Sequence, residues 1–368
     1  MNWYDIKKID DIDSPSLVLY EDRLEYNLQK MLDMVDGHSI KLMPHVKTNK
    51  MPEVIKRMVD LGIKNLKAST IAEAEIAARV GAKHILIAHQ LVGPKITRFL
   101  TLITEFPGTK FSTIIDNIDS LRLLNRLANE KNLIVDFYID VNNGMDRSGI
   151  EIGPNFDKLI EEISKCKSLS FKGLHVYDGH LRQPDFDTRK DKVEKGFEEV
   201  QKLHSKLKTQ YSELKMICGG TPTFTSHLSA NDRICSPGTC VLWDFGYGDK
   251  LQEQDFKYAT LIITRVISKP TKGIVTIDLG HKSVGAENPI HQRVKFLNLN
   301  DYELLSQSEE HGVLKVKDWN TLKVGDVLYG VPFHICSTIN LHDYVSVIKN
   351  NMKIGEWEIT GRKRKIEI

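Results

Sequence analysis

A chain of 368 residues, 41% hydrophobic, 27% charged and 8% aromatic, has the balance of a globular protein. It is too long for one small core and about right for one large domain with a smaller one. Its 51 basic and 49 acidic residues leave a formal net charge of +2, too weak a field to draw in nucleic acid or an acidic membrane.

The start of the chain carries no apolar run of leader length. No segment approaches the roughly 18 consecutive apolar residues of a membrane-crossing helix, so a cytoplasmic protein is expected. Residues 16–20 read as a strand, and 21–34 as a helix with Leu24, Leu28 and Leu32 on one face. Strand-like runs follow at 42–46, 64–68, 84–88, 112–115, 134–141, 171–176, 214–218 and 234–236. Helical patterns lie between them at 51–61, 71–80, 95–104, 118–129, 156–166 and 188–209. Repeated β–α units imply parallel strands covered by helices. About eight of them point to an α/β fold with a (β/α)8 TIM-type barrel, over residues 12–245. Beyond residue 245 come short runs rich in Val, Ile and Thr, at 258–268, 273–278, 294–298, 311–315, 327–331, 344–349 and 353–359. They read as a second, smaller β-domain of residues 246–368, with 1–11. The five cysteines, Cys166, Cys218, Cys235, Cys240 and Cys336, are scattered with no CxxC pair and are expected to be thiols. The final basic run Arg362-Lys363-Arg364-Lys365 reads as a solvated chain end.

In such a barrel the chemistry gathers at the C-terminal ends of the strands. Lys47 falls at one of them, in Pro44-His45-Val46-Lys47-Thr48. A lysine there can be a plain solvated charge. Desolvated in a barrel mouth, a lysine loses its proton more readily, and its amine can then form a Schiff base with an aldehyde. Gly219-Gly220-Thr221-Pro222-Thr223 follows another strand and Ser236-Pro237-Gly238-Thr239 the next. Each can be an ordinary tight turn. Two small-residue loops at successive strand ends also match the barrel habit of holding a phosphate with exposed amides and a hydroxyl.

The PHVKT segment, taken with Gly144-Met145-Asp146-Arg147-Ser148-Gly149, resembles the alanine racemase-like group of pyridoxal phosphate enzymes. Within that group the chain is most similar to the D-threonine aldolase and D-serine dehydratase family, over nearly its whole length. The resemblance implies that Lys47, beside His45, binds pyridoxal 5'-phosphate. It further implies that Arg147 approaches the cofactor ring and Tyr177 its nitrogen, while Gly220, Thr221, Gly238 and Thr239 hold the phosphate. A tyrosine there would leave the ring nitrogen unprotonated and the ring a weaker electron sink, so a second activating group is expected. His334 and Cys336, two apart in a segment expected to be extended, can face one metal. By themselves they also fit a core cysteine beside a packed histidine. The resemblance implies a divalent cation on this pair, and the thiolate favours zinc over manganese or magnesium.

The resulting expectation is a metal-assisted lyase acting on a D-β-hydroxy amino acid, a small-molecule substrate. The leading reading is D-threonine aldolase-type cleavage. The alternative is D-serine or 3-hydroxyaspartate dehydratase-type elimination, and an amino-acid racemase is the reading from another class. Cys336 pulls toward the dehydratases. Gln183 and Pro184 stand where some aldolases have a histidine. His180 is the leading candidate for a catalytic proton carrier, with His45 and His342 also considered; each can equally be a plain hydrogen-bonding histidine. Family resemblance also implies a homodimer.

Overall fold

A computed structural model describes residues 2–368. In chain order it begins with strand β1 (Ser16–Tyr20) and helix α1 (Glu21–Asp33). The β–α alternation then runs α2 (Pro52–Asp60), β2 (Asn65–Ala68), α3 (Ile71–Arg79), β3 (His84–Ile87), α4 (Pro94–Glu105), β4 (Lys110–Ile115), α5 (Ile118–Glu130), β5 (Val135–Val141), α6 (Pro154–Ile163), β6 (Leu169–Val176), α7 (Phe186–Lys208), β7 (Lys215–Cys218), α8 (Phe224–His227) and β8 (Arg233–Cys235). The rest is strand-rich: α9 (Phe245–Gly248), β9 (Thr260–Thr271), β10 (Ile274–Ile277), β11 (Val294–Phe296), β12 (Tyr302–Gln307), β13 (Gly312–Val316), β14 (Val327–Pro332), α10 (Ile335–Ile339), β15 (Tyr344–Lys349) and β16 (Met352–Glu358).

The chain divides into two compact units. One comprises residues 32–47, 54–238 and 364–368, and the other residues 1–31, 48–53 and 239–363. The chain therefore passes between them after residues 31, 47, 53, 238 and 363.

The first unit is the expected α/β barrel. β2 to β8 form a parallel seven-stranded sheet in sequence order. The first strand position is filled by residues 42–45, which bridge both edges: Leu42 pairs with Cys235 of β8 and His45 with Lys67 of β2. Three backbone bonds support the closure, from Met43 N–H to Cys235 O, from His45 N–H to Pro237 O and from Lys67 N–H to Pro44 O. This segment is not a regular strand because Pro44 has no N–H to donate and 3-10 turns at Ser39–Lys41 and Val46–Thr48 pinch it at both ends. Met43, Leu86, Ile114, Tyr138 and Ile217 form an apolar cluster on this sheet. Helix starts are set locally. The Thr70 side chain caps α3 by accepting from Glu73 N–H, while the Glu73 carboxylate accepts from Ser69 N–H, a reciprocal cap. Asn117 and Asp185 cap α5 and α7 through their own side-chain oxygens.

The second unit holds a nine-stranded mixed sheet. Its strands include β1, which runs parallel to β15 and antiparallel to β9. Residues 16–20 thus form the expected strand but lie outside the barrel, and the units differ from a division at residue 245. The reason is pairing: four residues of β1, Leu17 to Tyr20, are in register with β15, and among the described residues β1 has no partner in the barrel sheet. Ile6, Val18, Tyr20, Leu261, Ile263 and Val331 build part of the second unit's core.

Candidate active site

In the barrel unit, Lys47 sits in the 3-10 turn directly after the closing segment. It is half-buried, and its N–H donates to Nδ1 of buried His45 at 3.3 Å. Arg147 lies in the loop after β5. There Asn142 Oδ1 accepts from Gly144 N–H and Asp146 N–H, and Gly149 N–H donates to Asp116 Oδ2. Gly149 is required: its φ is +97°, and an added Cβ would fall 2.6 Å from Asn142 N. The loop delivers the Arg147 guanidinium to 4.9 Å from the centroid of the Tyr177 ring. His180 is exposed, with its Nε2 near Gly144.

Tyr177 follows β6 and is wedged among glycines. A Cβ on Gly220 would meet its Cε2 at 2.8 Å. The loops after β7 and β8 are laced together by Gly238 N–H donating to Thr221 Oγ1 at 3.1 Å. Beside them, the buried Ser236 hydroxyl has no hydrogen-bond partner among the described residues. Beneath the first loop, Thr223 Oγ1 and His227 Nε2 contact the two oxygens of fully buried Asp178, at 2.5 and 2.8 Å. Arg233 Nη1 donates to His227 Nδ1 at 2.9 Å, which leaves the Nε2 proton for Asp178.

Sequence reasoning missed a further constellation in the same barrel mouth. Lys67, His175 and Asp140, each the penultimate residue of its strand (β2, β6 and β5), are all buried. Lys67 Nζ is 3.3 Å from His175 Nε2, and His175 Nδ1 is 2.7 Å from Asp140 Oδ1. Asp140 Oδ2 accepts from Gln90 Nε2 and Ser148 Oγ. Burial, reinforced by the charge of Lys47, pushes Lys67 down to about 7. The available signal was a lysine set between Leu66 and Ala68 in a short strand-like run.

In the other unit, His334 and Cys336 come together, but not through strand alternation. His334 is the extended N-cap of α10 and Cys336 lies in its first turn, and the two side chains hydrogen-bond. Burial opposes charge on both. Their mutual attraction outweighs it, raising His334 to about 9 and lowering Cys336. Cys336 Sγ is 3.3 Å from Thr48 Oγ1 and 3.7 Å from Thr239 Oγ1. Thr239 thus belongs with the thiol in this unit. Glu287, which the sequence did not single out, sits 2.5 Å from His334 Nδ1 and from Ser337 Oγ. With Nδ1 engaged by Glu287, Nε2 is the ring nitrogen left to bind an ion. Among the described residues no group of three or more His, Cys, Asp or Glu side chains is spaced to hold a metal ion. His342 donates Nε2–H to Ser283 O, a structural bond. All five cysteines are free, and no helix among the described residues is long and apolar enough to cross a membrane.

Parallel strands closed into a barrel, with lysine, arginine, tyrosine and two glycine-rich loops at their C-terminal ends, define the class. The chain belongs to the alanine racemase family: the model "Alanine racemase, N-terminal domain" matches residues 20–243, and "Putative serine dehydratase domain" matches residues 259–348. It is 25% identical over 366 residues to a 3-hydroxy-D-aspartate aldolase of Paracoccus denitrificans (strain Pd 1222), covering 96% of this chain and 92% of that one. It is 27% identical over 371 residues to a D-threonine aldolase of an Arthrobacter species, covering 95% and 93%. The crystal structure of D-threonine aldolase from Filomicrobium marinum has the same fold, with a TM-score of 0.88 at 24% identity, covering 98% of this chain and 99% of that one. The protein is accordingly a pyridoxal phosphate-dependent lyase of this family.

Proposed function

We propose that this lyase acts on D-β-hydroxy amino acids, cleaving Cα–Cβ in the manner of a D-threonine or 3-hydroxy-D-aspartate aldolase. The observation that carries the cofactor assignment is the cradle at the ends of β7 and β8. Its loops are tied by Thr221, side-chain bulk is absent at Gly220 where Tyr177 packs, and a buried Ser236 hydroxyl lacks a partner among the described residues. Those features fit a phosphate held by Gly220, Thr221, Ser236 and Gly238. Lys47 is the anchor for the aldehyde, and Arg147 and Tyr177 flank the ring.

Two donors, His334 and Cys336, fit a divalent ion that completes its coordination with water or substrate, and the thiolate favours zinc. When bound, the cofactor supplies an electron sink at the α-carbon and the ion a Lewis acid for a β-hydroxyl. The chain's own contributions are distinct. Lys47 holds or releases a proton at Nζ, Glu287 orients His334 through Nδ1, and the Arg147 guanidinium lies over the Tyr177 ring. His180 is exposed and can exchange a proton with solvent. A dehydratase reading is favoured by Cys336 and by the match over residues 259–348; in it Lys47 takes the α-proton. A cytoplasmic homodimer is part of the proposal.

The deciding experiment incubates the protein with pyridoxal phosphate and zinc or manganese, then with D-threonine, D-threo-3-hydroxyaspartate or D-serine. Glycine and an aldehyde are the expected products. Keto acid and ammonia without glycine would transfer the protein to the dehydratases. No turnover of any of the three would overturn the substrate class.

A further inference from the structure

The Lys67–His175–Asp140 chain plays no part in the reading above, yet its geometry is that of a proton path. The arrangement runs across three strands. Asp140 is held as an acceptor, since Gln90 and Ser148 both donate to its second oxygen, and it takes the Nδ1 proton of His175. That fixes the tautomer and leaves the lone pair on Nε2, facing Lys67 Nζ at 3.3 Å. The partner of a fully buried amine is thus a neutral ring nitrogen rather than a carboxylate. A lysine kept only for structure would gain more from direct pairing with a carboxylate.

We propose that Lys67, His175 and Asp140 form a proton store in the barrel mouth, in which Lys67 is a positioning residue for the charge carried at Lys47. The proposal rests on Lys47 being the cofactor anchor. In the forward step the Lys67 ammonium gives one proton along Nζ–H···Nε2, and His175 becomes an imidazolium whose Nδ1–H stays on the Asp140 carboxylate. The reverse step returns the proton to Lys67. Nothing is oxidised or reduced, and no other bond changes.

The groups bearing on Lys67 are few. His175 and Asp140 face it from β6 and β5, Cys218 from the end of β7, and Tyr177 and Asp178 from the segment after β6; Lys47 follows the closing segment, whose His45 pairs with Lys67. Arg147 bears on His175. Lys47 opposes a charge on Lys67, whereas Asp140, Asp178 and Cys218 support it. A proton gained at Lys47 is therefore felt at Lys67, and coupling of this kind is reciprocal.

Two measurements test this. In the cofactor-loaded protein the visible absorption band is followed from acid to alkaline pH. In the cofactor-free protein the ring nitrogens of His175 are followed by nitrogen-15 NMR over the same range. Wild type is expected to show a shared transition in both, set in the cofactor-free protein by Lys67 at about 7. Lys67→Met should remove it from both, and Asp140→Asn should move it to lower pH by about one to three units. A His175 titration unchanged in Lys67→Met overturns the store. A store that titrates while the band stays flat with pH overturns the link to Lys47. Should the wild type remain colourless, Lys47 is not the anchor and the reading beneath the proposal fails; the NMR titration then judges the proton path alone. If Lys67→Met does not fold, Asp140→Asn decides the same two points: an unmoved His175 midpoint overturns the store, and an unmoved band overturns the link.

Discussion

The hydroxyl of Thr48 lies 3.3 Å from the thiol of Cys336, so the residue that follows Lys47 is hydrogen-bonded to half of the candidate metal pair. Hydrogen-bonded to His334 as well, this thiol is biased toward the thiolate, and it is the one cysteine of the five that is not buried. Alkylation of the metal-free protein near neutral pH should therefore fall first on Cys336. His334→Ala should slow that alkylation about tenfold, as measured by mass spectrometry of timed samples. An unchanged rate would show that His334 does not activate the thiol.

Glu287 holds His334 through Nδ1. Removing such an outer partner typically weakens metal affinity about 10–100-fold. Glu287→Gln is expected to do so while leaving the stoichiometry intact, whereas His334→Ala should lose the ion altogether. Titration with zinc against a competing chelator separates the two.

Gly220→Ala places a methyl group against the Tyr177 ring. The ring must move or the loop must open, and cofactor affinity should drop about tenfold or more, a cost of about 1–3 kcal/mol. Equilibrium binding followed at the visible band checks this. Lys47→Ala should abolish the band itself.

Burial drives Lys67 from an ordinary 10.5 to about 7, so a charged Lys67 is tolerated at a cost. The folded state holds fewer protons than the unfolded chain between those values, and stability therefore rises with pH across that interval. Below pH 7 the full penalty applies. Each unit is worth about 1.4 kcal/mol, and leaving His175 Nε2 unpaired takes back about 1–3 kcal/mol. Lys67→Met should thus be more stable than wild type by about 2–4 kcal/mol below pH 7, an advantage that fades as pH approaches 10. Urea unfolding at pH 6 and pH 9.5 measures the difference; a destabilised variant at pH 6 would contradict it.

Asp178→Asn disturbs a buried carboxylate that holds both Thr223 and His227. A loss of about 2–3 kcal/mol is expected, seen as a lower melting temperature.

Those parts of the site that lie in contiguous stretches were legible in the sequence. PHVKT, GMDRSG and GGTPT each carry their geometry locally, through a turn, a positive-φ glycine or a hydroxyl two or three residues away. The barrel was legible because its strands alternate with amphipathic helices, although Pro44 and two 3-10 turns left its first strand irregular. Lys67, Asp140 and His175 were not, since each is one polar residue in a buried strand and only the register of β2, β5 and β6 brings them together. Glu287 was hidden for the same reason: it lies 47 residues before His334, in a loop with no periodicity. β1 was read as a strand but placed in the wrong sheet, because alternation identifies a strand without naming its neighbours.

The repeated passage of the chain between its two units has an evolutionary meaning. The boundary between Lys47 and Thr48 is a single peptide bond, and comparable seams follow residues 31, 53, 238 and 363. No single gene breakpoint could therefore exchange one unit for that of a relative and leave both intact. Recombination at residue 245 would hand over most of the mixed sheet while leaving β1 behind with the donor of the barrel. New specificities in such a lineage are expected to arise by point substitution within one continuous gene, not by shuffling of modules.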